Sequence, residues 1–224
     1  MLSFEKWWGV IRDYNHTIFP LQFFIMFIGI VIIFYFAYGQ KEKANVLIKG
    51  YLGICHLWIG IFFFIVLGKD FPSPLKYIQG ALFISIGILL FIDLITKKTV
   101  FSFPKKRARK ISFISLLIVV QLYPIVGLIL GRTVDTCIYP GTLPCATTAL
   151  ALVFFSAALP KANKWIYGLL LIWAIPFAPL IQIPKYHVYE DSIMFIIGVY
   201  ALIFLIVSSI KFGKRRHGAR QRNS

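Results

Sequence analysis

Residues 19–38 read FPLQFFIMFIGIVIIFYFAY, twenty consecutive positions without a charged side chain. A helix rises about 1.5 Å per residue, so such a run reaches about 30 Å, the thickness of the hydrocarbon core of a bilayer. A helix of a soluble domain would gather its apolar residues into one stripe; here they cover every face. The stretch lacks the short hydrophobic region and small-residue cleavage site of a removable signal peptide, and Gly39-Gln40-Lys41 follows it, so it reads as a retained anchor.

Outward from this anchor the pattern repeats. Apolar runs at 46–67, 78–96, 111–130, 145–159, 165–183 and 192–210 are separated by short polar connections. The chain is 59% hydrophobic and 17% aromatic, and its 14% charged residues fall short of the roughly 25% usual in soluble domains. The expectation is an all-α polytopic bundle of seven transmembrane spans across residues 19–210. An N-terminal segment, residues 1–18, precedes it, and a basic tail, residues 211–224, follows. The fifth run is the shortest and admits a re-entrant segment as the alternative to a crossing. Tyr123-Pro124 predicts a kink in the fourth span, and Pro176 and Pro179 predict one in the sixth. Gly127 and Gly131 form a GxxxG that suggests a helix contact.

Charge orients the bundle. With seven alternating crossings, the sides that carry the connections 1–2 (with Lys49), 3–4 and 5–6 and the tail hold 18 Lys and Arg, against 6 on the other side. Basic residues collect on the cytoplasmic side, so the N-terminus is expected outside and the tail inside. The net charge of +16 does not point to nucleic acid, because its clusters abut the membrane: Lys105, Lys106, Arg107, Arg109 and Lys110 in one connection, Lys214, Arg215 and Arg216 in the tail. Anionic lipid is the simpler partner. A second copy or another membrane protein remains open as a partner.

Before the first span, Phe4, Trp7, Trp8 and Ile11 share one helical side of a segment that also carries Glu5, Lys6, Arg12 and Asp13. This suits either an interfacial amphipathic helix or an aromatic anchor continuous with the first span. Inside the spans, ionisable groups are functional candidates by default, and Asp93 and His56 stand out. Asp93 precedes Lys97 by four residues, so an interfacial ion pair competes with a proton or cation site. His56 lies mid-span, where it either bonds a neighbouring helix or titrates in a water-filled cavity.

The stretch GRTVDTCIYPGTLPC, residues 131–145, is the most distinctive connection. Tyr139-Pro140-Gly141-Thr142 has Pro and Gly where a type II turn wants them. Cys137 and Cys145 flank that turn, so a disulfide and a pair of free thiols are both open. Arg132 and Asp135 read as a solvated pair. Asn15-His16-Thr17 is formally a glycosylation acceptor, and Ser73-Pro74-Leu75-Lys76 matches a serine acyl-enzyme tetrad without its companion motifs. Three cysteines in no CxxC arrangement argue against structural zinc, and no nucleotide-binding fingerprint, metalloprotease motif or catalytic triad signature is present.

Tyr14-Asn15 with Ile18-Phe19-Pro20, His56 ahead of Phe62-Phe63-Phe64, Tyr123-Pro124 with Gly127, and Pro144-Cys145 with Thr147-Thr148 occur in an order that resembles a family of bacterial multi-pass membrane proteins of unknown function. The resemblance runs through nearly the whole chain. This chain departs from it at Ala146, where the family has a second proline. It implies a bacterial cytoplasmic membrane and an outside-facing feature around Asn15 and Cys145; no family activity is available to carry over, and any cofactor is unknown. A bundle with no soluble domain acts within or across the bilayer, so a small-solute or ion transporter, or its accessory subunit, is the leading expectation. The alternatives are an enzyme or thiol protein working at the outer face through Asn15, His16 and Cys145, and a lipid-binding or assembly factor using the basic face.

Overall fold

The computed structural model describes the backbone of residues 2–221 and the side chains of residues 2–210. Lys214, Arg215 and Arg216 of the tail have side chains outside the described residues. Among the described residues there are helices and no strand: α1 (Phe4–Ile18), α2 (Leu21–Tyr38), α3 (Lys41–Trp58), α4 (Ser73–Thr96), α5 (Arg107–Gln121), α6 (Tyr123–Ile129), α7 (Pro144–Ala158), α8 (Lys164–Phe177), α9 (Ile183–Tyr186) and α10 (Ser192–Gln221). Helix α3 continues into π-helical turns at Ile59–Val66, and π-helical Ala178–Gln182 joins α8 to α9.

Five stretches are long and apolar enough to cross a bilayer: Leu21–Tyr38, Lys41–Val66, Ser73–Thr96, Lys164–Tyr186 and Tyr189–Ile210. Helices α5 and α6 make a sixth if taken as one span broken by 57°. The break falls just ahead of Pro124, which has no N–H to donate and whose ring clashes with the preceding turn. The sixth expected run deviates at its prolines too: Pro176 lies in the last turn of α8 and Pro179 inside the π-helical turns.

Helix α7, the fifth expected span, is too short to qualify, and its surroundings explain why. Every residue from Thr136 to Ser156 is buried. The helix is the central pillar of the bundle, packed by α3, α5, α8 and α10. Ala146, Ala149 and Ala151, each fully buried, let those neighbours approach closely. A helix that meets protein on all sides need not match the thickness of hydrocarbon. The outer helices show the converse: α2 exposes Phe24, Phe27, Val31 and Phe34, an apolar surface suited to lipid and not to water.

Helix α3 with its π-helical extension and α4 approach each other closely at glycines. A methyl group on Gly60 would lie 2.8 Å from the Gly80 carbonyl oxygen, and one on Gly87 would lie 3.0 Å from that of Gly53. These glycines, seven apart on each partner, do what was expected of Gly127 and Gly131. Gly131 has φ 85° and lies beyond α6, while Gly127 faces Arg132 and Cys137 of the connection that follows it, so that pair forms no helix seam.

The connections gather at two ends. At one, Trp7 packs on Phe71, Tyr14 donates to Thr142 O at 2.8 Å, and Trp8 Nε1 donates to Tyr186 O at 3.0 Å. At the other, Val100 N donates to Lys161 O at 2.9 Å, Asn163 N to Thr99 Oγ1 at 3.0 Å, and Asn45 Nδ2 to Phe101 O at 2.9 Å. Helix α7 runs from the first end to the second.

Candidate functional site

Glu190 and Asp191 form the turn that leads into α10, where acidic side chains suit the positive end of the helix. Both are buried, with 1% and 0% of their surface exposed. Around them α6, α7, α8 and the 131–143 connection converge. Tyr123 Oη donates to Asp191 Oδ1 at 3.1 Å, and the Cys145 thiol stands beside the same carboxylate and beside Trp173. Arg132 Nε approaches Glu190 Oε1 at 3.4 Å, a charge contact without directed hydrogen-bond geometry. The arginine is fixed by its other contacts: it donates to His187 O at 2.5 Å, and its guanidinium lies 3.7 Å from the Trp8 ring centre.

This cluster has more polar capacity than it uses. Asp191 Oδ2, both oxygens of Glu190, Trp173 Nε1 and both side-chain polar atoms of Gln182 have no hydrogen-bond partner among the described residues. Buried polar groups are normally paired, and each unpaired one costs about 1–3 kcal/mol. Two neighbouring buried carboxylates, of which Glu190 alone meets Arg132, therefore leave unused acceptors. The chemistry such a site performs most readily is the uptake of a proton or small cation. Among the described residues, no group of three His, Cys, Asp or Glu side chains is arranged to hold a metal ion.

The sequence candidates divide around this cluster. Arg132 and Cys145 belong to it. Asp135 does not pair with Arg132 as expected; it lies 3.2 Å from Arg12 Nε and 3.4 Å from His16 Nε2. Hydrogen bonding from Thr133, with Arg12 and His16 adding, holds the Asp135 carboxyl below its usual range. Asn15 is buried, and its amide donates to Asp135 O and Cys137 O, both at 2.9 Å, so it pins α1 to the connection and is not presented for glycosylation. The apolar face of α1 packs Trp7, Trp8 and Ile11 onto the bundle end, where Trp7 stacks on Tyr186 at 4.6 Å.

Cys137 and Cys145 are not joined. The Cys137 thiol donates to Pro124 O at 3.3 Å, and burial pushes it up to about 11, which leaves a neutral thiol and a poor nucleophile at neutral pH. The turn between the two cysteines forms as expected, with Gly141 at φ 98°. Cys145 stands at the Asp191 carboxylate, while Asn15 holds Asp135 O and Cys137 O and His16 lies against Asp135.

Both mid-span candidates are buried. His56 is fully buried; Nδ1 lies 2.7 Å from Leu52 O and the ring is stacked 5.7 Å from Phe83, so it faces packing and not water. Asp93 pairs with Lys49 Nζ at 2.9 Å and accepts from Thr99 N with both oxygens. Its expected partner Lys97 has φ 50°, which takes it out of the helical register that a four-residue spacing assumes. The sequence reading passed over Lys49, Glu190 and Asp191. A lysine within an apolar run and two adjacent acids at the head of another, in a chain with only eight acids, were the available signals.

The chain belongs to the family of unknown function DUF6064, whose model matches residues 4–216. Neither the curated proteins nor the solved structures contain a significant match.

Proposed function

We propose that this family member is a seven-pass membrane protein, N-terminus outside and C-terminus inside, that moves a small cation or protons through the bundle. The observation that carries the reading is the Glu190–Asp191 pair: two buried carboxylates with three oxygens lacking a hydrogen-bond partner among the described residues. Buried ionisable groups are expensive and are retained where they bind or relay ions. The breaks around the pair support it. Helix α6 starts at a bend of 57°, and π-helical turns interrupt the passage from α8 to α9; irregular helices commonly mark functional sites and free carbonyls to line a path. The topology is supported by the basic-residue asymmetry and by the gathering of alternate connections at each end.

The test is flux in liposomes containing the purified full-length chain, read with a trapped pH dye and with sodium and potassium gradients. Wild type should exceed protein-free liposomes. Asp191→Asn should reduce flux by about a hundredfold, the lower end of what a positioned proton-transfer group contributes. Glu190→Gln should reduce it as well, with both variants still eluting as folded protein. Wild type that moves none of the three ions would reject the reading. An Asp191→Asn variant with undiminished flux would remove the pair from the path.

A further inference from the structure

At the basic end of the bundle, the C-terminus of α2, the N-terminus of α3 and the C-terminus of α4 converge around a groove of about 870 Å³. Its lining has two parts. Lys41, Lys43 and Lys97 are exposed and form the rim with a single acid, Glu42, while Tyr35, Val46, Leu47 and Leu94 supply apolar wall. Lys49 lines the groove too, but its charge is taken up by Asp93 at 2.9 Å. None of the ion pairs among the described residues uses Lys41, Lys43 or Lys97. The groove thus joins surplus positive charge to an apolar surface, at the level where three apolar helices end. That level is the boundary between hydrocarbon and headgroups.

We infer that this groove binds an anionic phospholipid, its phosphate held by Lys41, Lys43 and Lys97 and an acyl chain lying against Val46, Leu47 and Leu94. A soluble phosphate would use only the rim. The apolar wall and its level in the bundle select the amphiphile, and the shortage of acidic partners selects the anionic class. The free backbone N–H groups in the first turn of α3 add to the attraction for phosphate. This inference is independent of the acidic pair at the opposite end and of any transport activity.

The test uses the full-length protein in neutral detergent, titrated with dioleoyl phosphatidylglycerol or dioleoyl phosphatidylcholine and read by native mass spectrometry. Wild type should hold the anionic lipid in preference to the zwitterionic one. A basic residue near an anionic headgroup contributes about fivefold, so Lys43→Gln/Lys97→Gln should weaken phosphatidylglycerol by about twenty-five-fold and leave phosphatidylcholine unchanged. Glu42→Gln should strengthen it. Lys105→Gln/Lys106→Gln is the control, since those residues line a separate groove of about 290 Å³ that shares Lys41.

A second measurement does not depend on variants. In wild type, acetylation of Lys43 and Lys97 should slow relative to Lys98 and Lys161 when phosphatidylglycerol is added, and should not slow with inorganic phosphate or glycerol phosphate. The inference is overturned if the Lys43/Lys97 variant keeps the full preference, if only the Lys105/Lys106 variant loses it, or if soluble phosphate protects the lysines as well as the lipid does.

Discussion

Lys49 and Asp93 are 44 residues apart in sequence and meet as a buried pair whose side chains are 4% and 0% exposed. The lysine also donates to the Asp93 carbonyl at 2.9 Å, so one ammonium ties α3 to the last turn of α4 while Thr99 N caps the carboxylate. Removing one member of a buried pair strands the other and typically costs about 3–5 kcal/mol. Lys49→Met should therefore lower the thermal stability of the detergent-solubilised protein sharply. Lys49→Met/Asp93→Leu should recover part of the loss, because no charge is then left alone. A single variant as stable as wild type would refute the pair's structural role. Asp93 was legible in the sequence as an ionisable group that needed a partner. The identity of the partner was not, because helical spacing names only neighbours on one helix, and the answer lay on another. Glu190 and Asp191 were missed for a related reason: at the head of an apolar run they read as part of a connection, and only the folding of α6, α7 and the 131–143 connection over them makes them buried.

Between helices, the same contrast of local and non-local information recurs. Spans for α2, α4, α8 and α10 were readable because lipid imposes a run of apolar residues on any helix that faces it. Helix α7 was the doubtful one because it is short; its neighbours replace lipid around it, and that substitution leaves no trace in hydrophobicity. Glycine contacts show the limit most directly. The GxxxG spacing drew attention to Gly127 and Gly131, whereas the backbone approach is made by Gly53 and Gly60 against Gly80 and Gly87, at a spacing of seven. Gly60→Leu should force α3 and α4 apart and cost about 1–3 kcal/mol, as overpacking does in closed cores. Gly127→Ala should be tolerated, since its added methyl would meet nothing nearer than 3.5 Å. Thermal unfolding of the two variants side by side decides the matter; equal stability of both would deny the α3–α4 seam its role.

Across the whole molecule, charge and contact agree on two unlike ends. One gathers α1, the acidic pair and the 131–143 connection, and the other gathers the 97–106 and 159–163 connections with the basic groove. The positive-inside rule, applied to 18 basic residues against 6, then predicts which end meets the cytoplasm. The three native cysteines are buried, so a newly introduced surface cysteine can be labelled above a low background. Val134, 53% exposed, stands at the first end, while Lys98 and Lys161, both exposed, stand at the second. In intact cells a membrane-impermeant maleimide should label Val134→Cys and spare Lys98→Cys and Lys161→Cys, which should react only after permeabilisation. The Lys161 position carries the decision on α7, since its connection follows that helix directly. If Lys161→Cys reacts in intact cells while Lys98→Cys does not, α7 does not cross and the seven-pass topology fails. If Val134→Cys is protected and Lys98→Cys reacts, the orientation is inverted, and the acidic pair would face the cytoplasm instead of the outside.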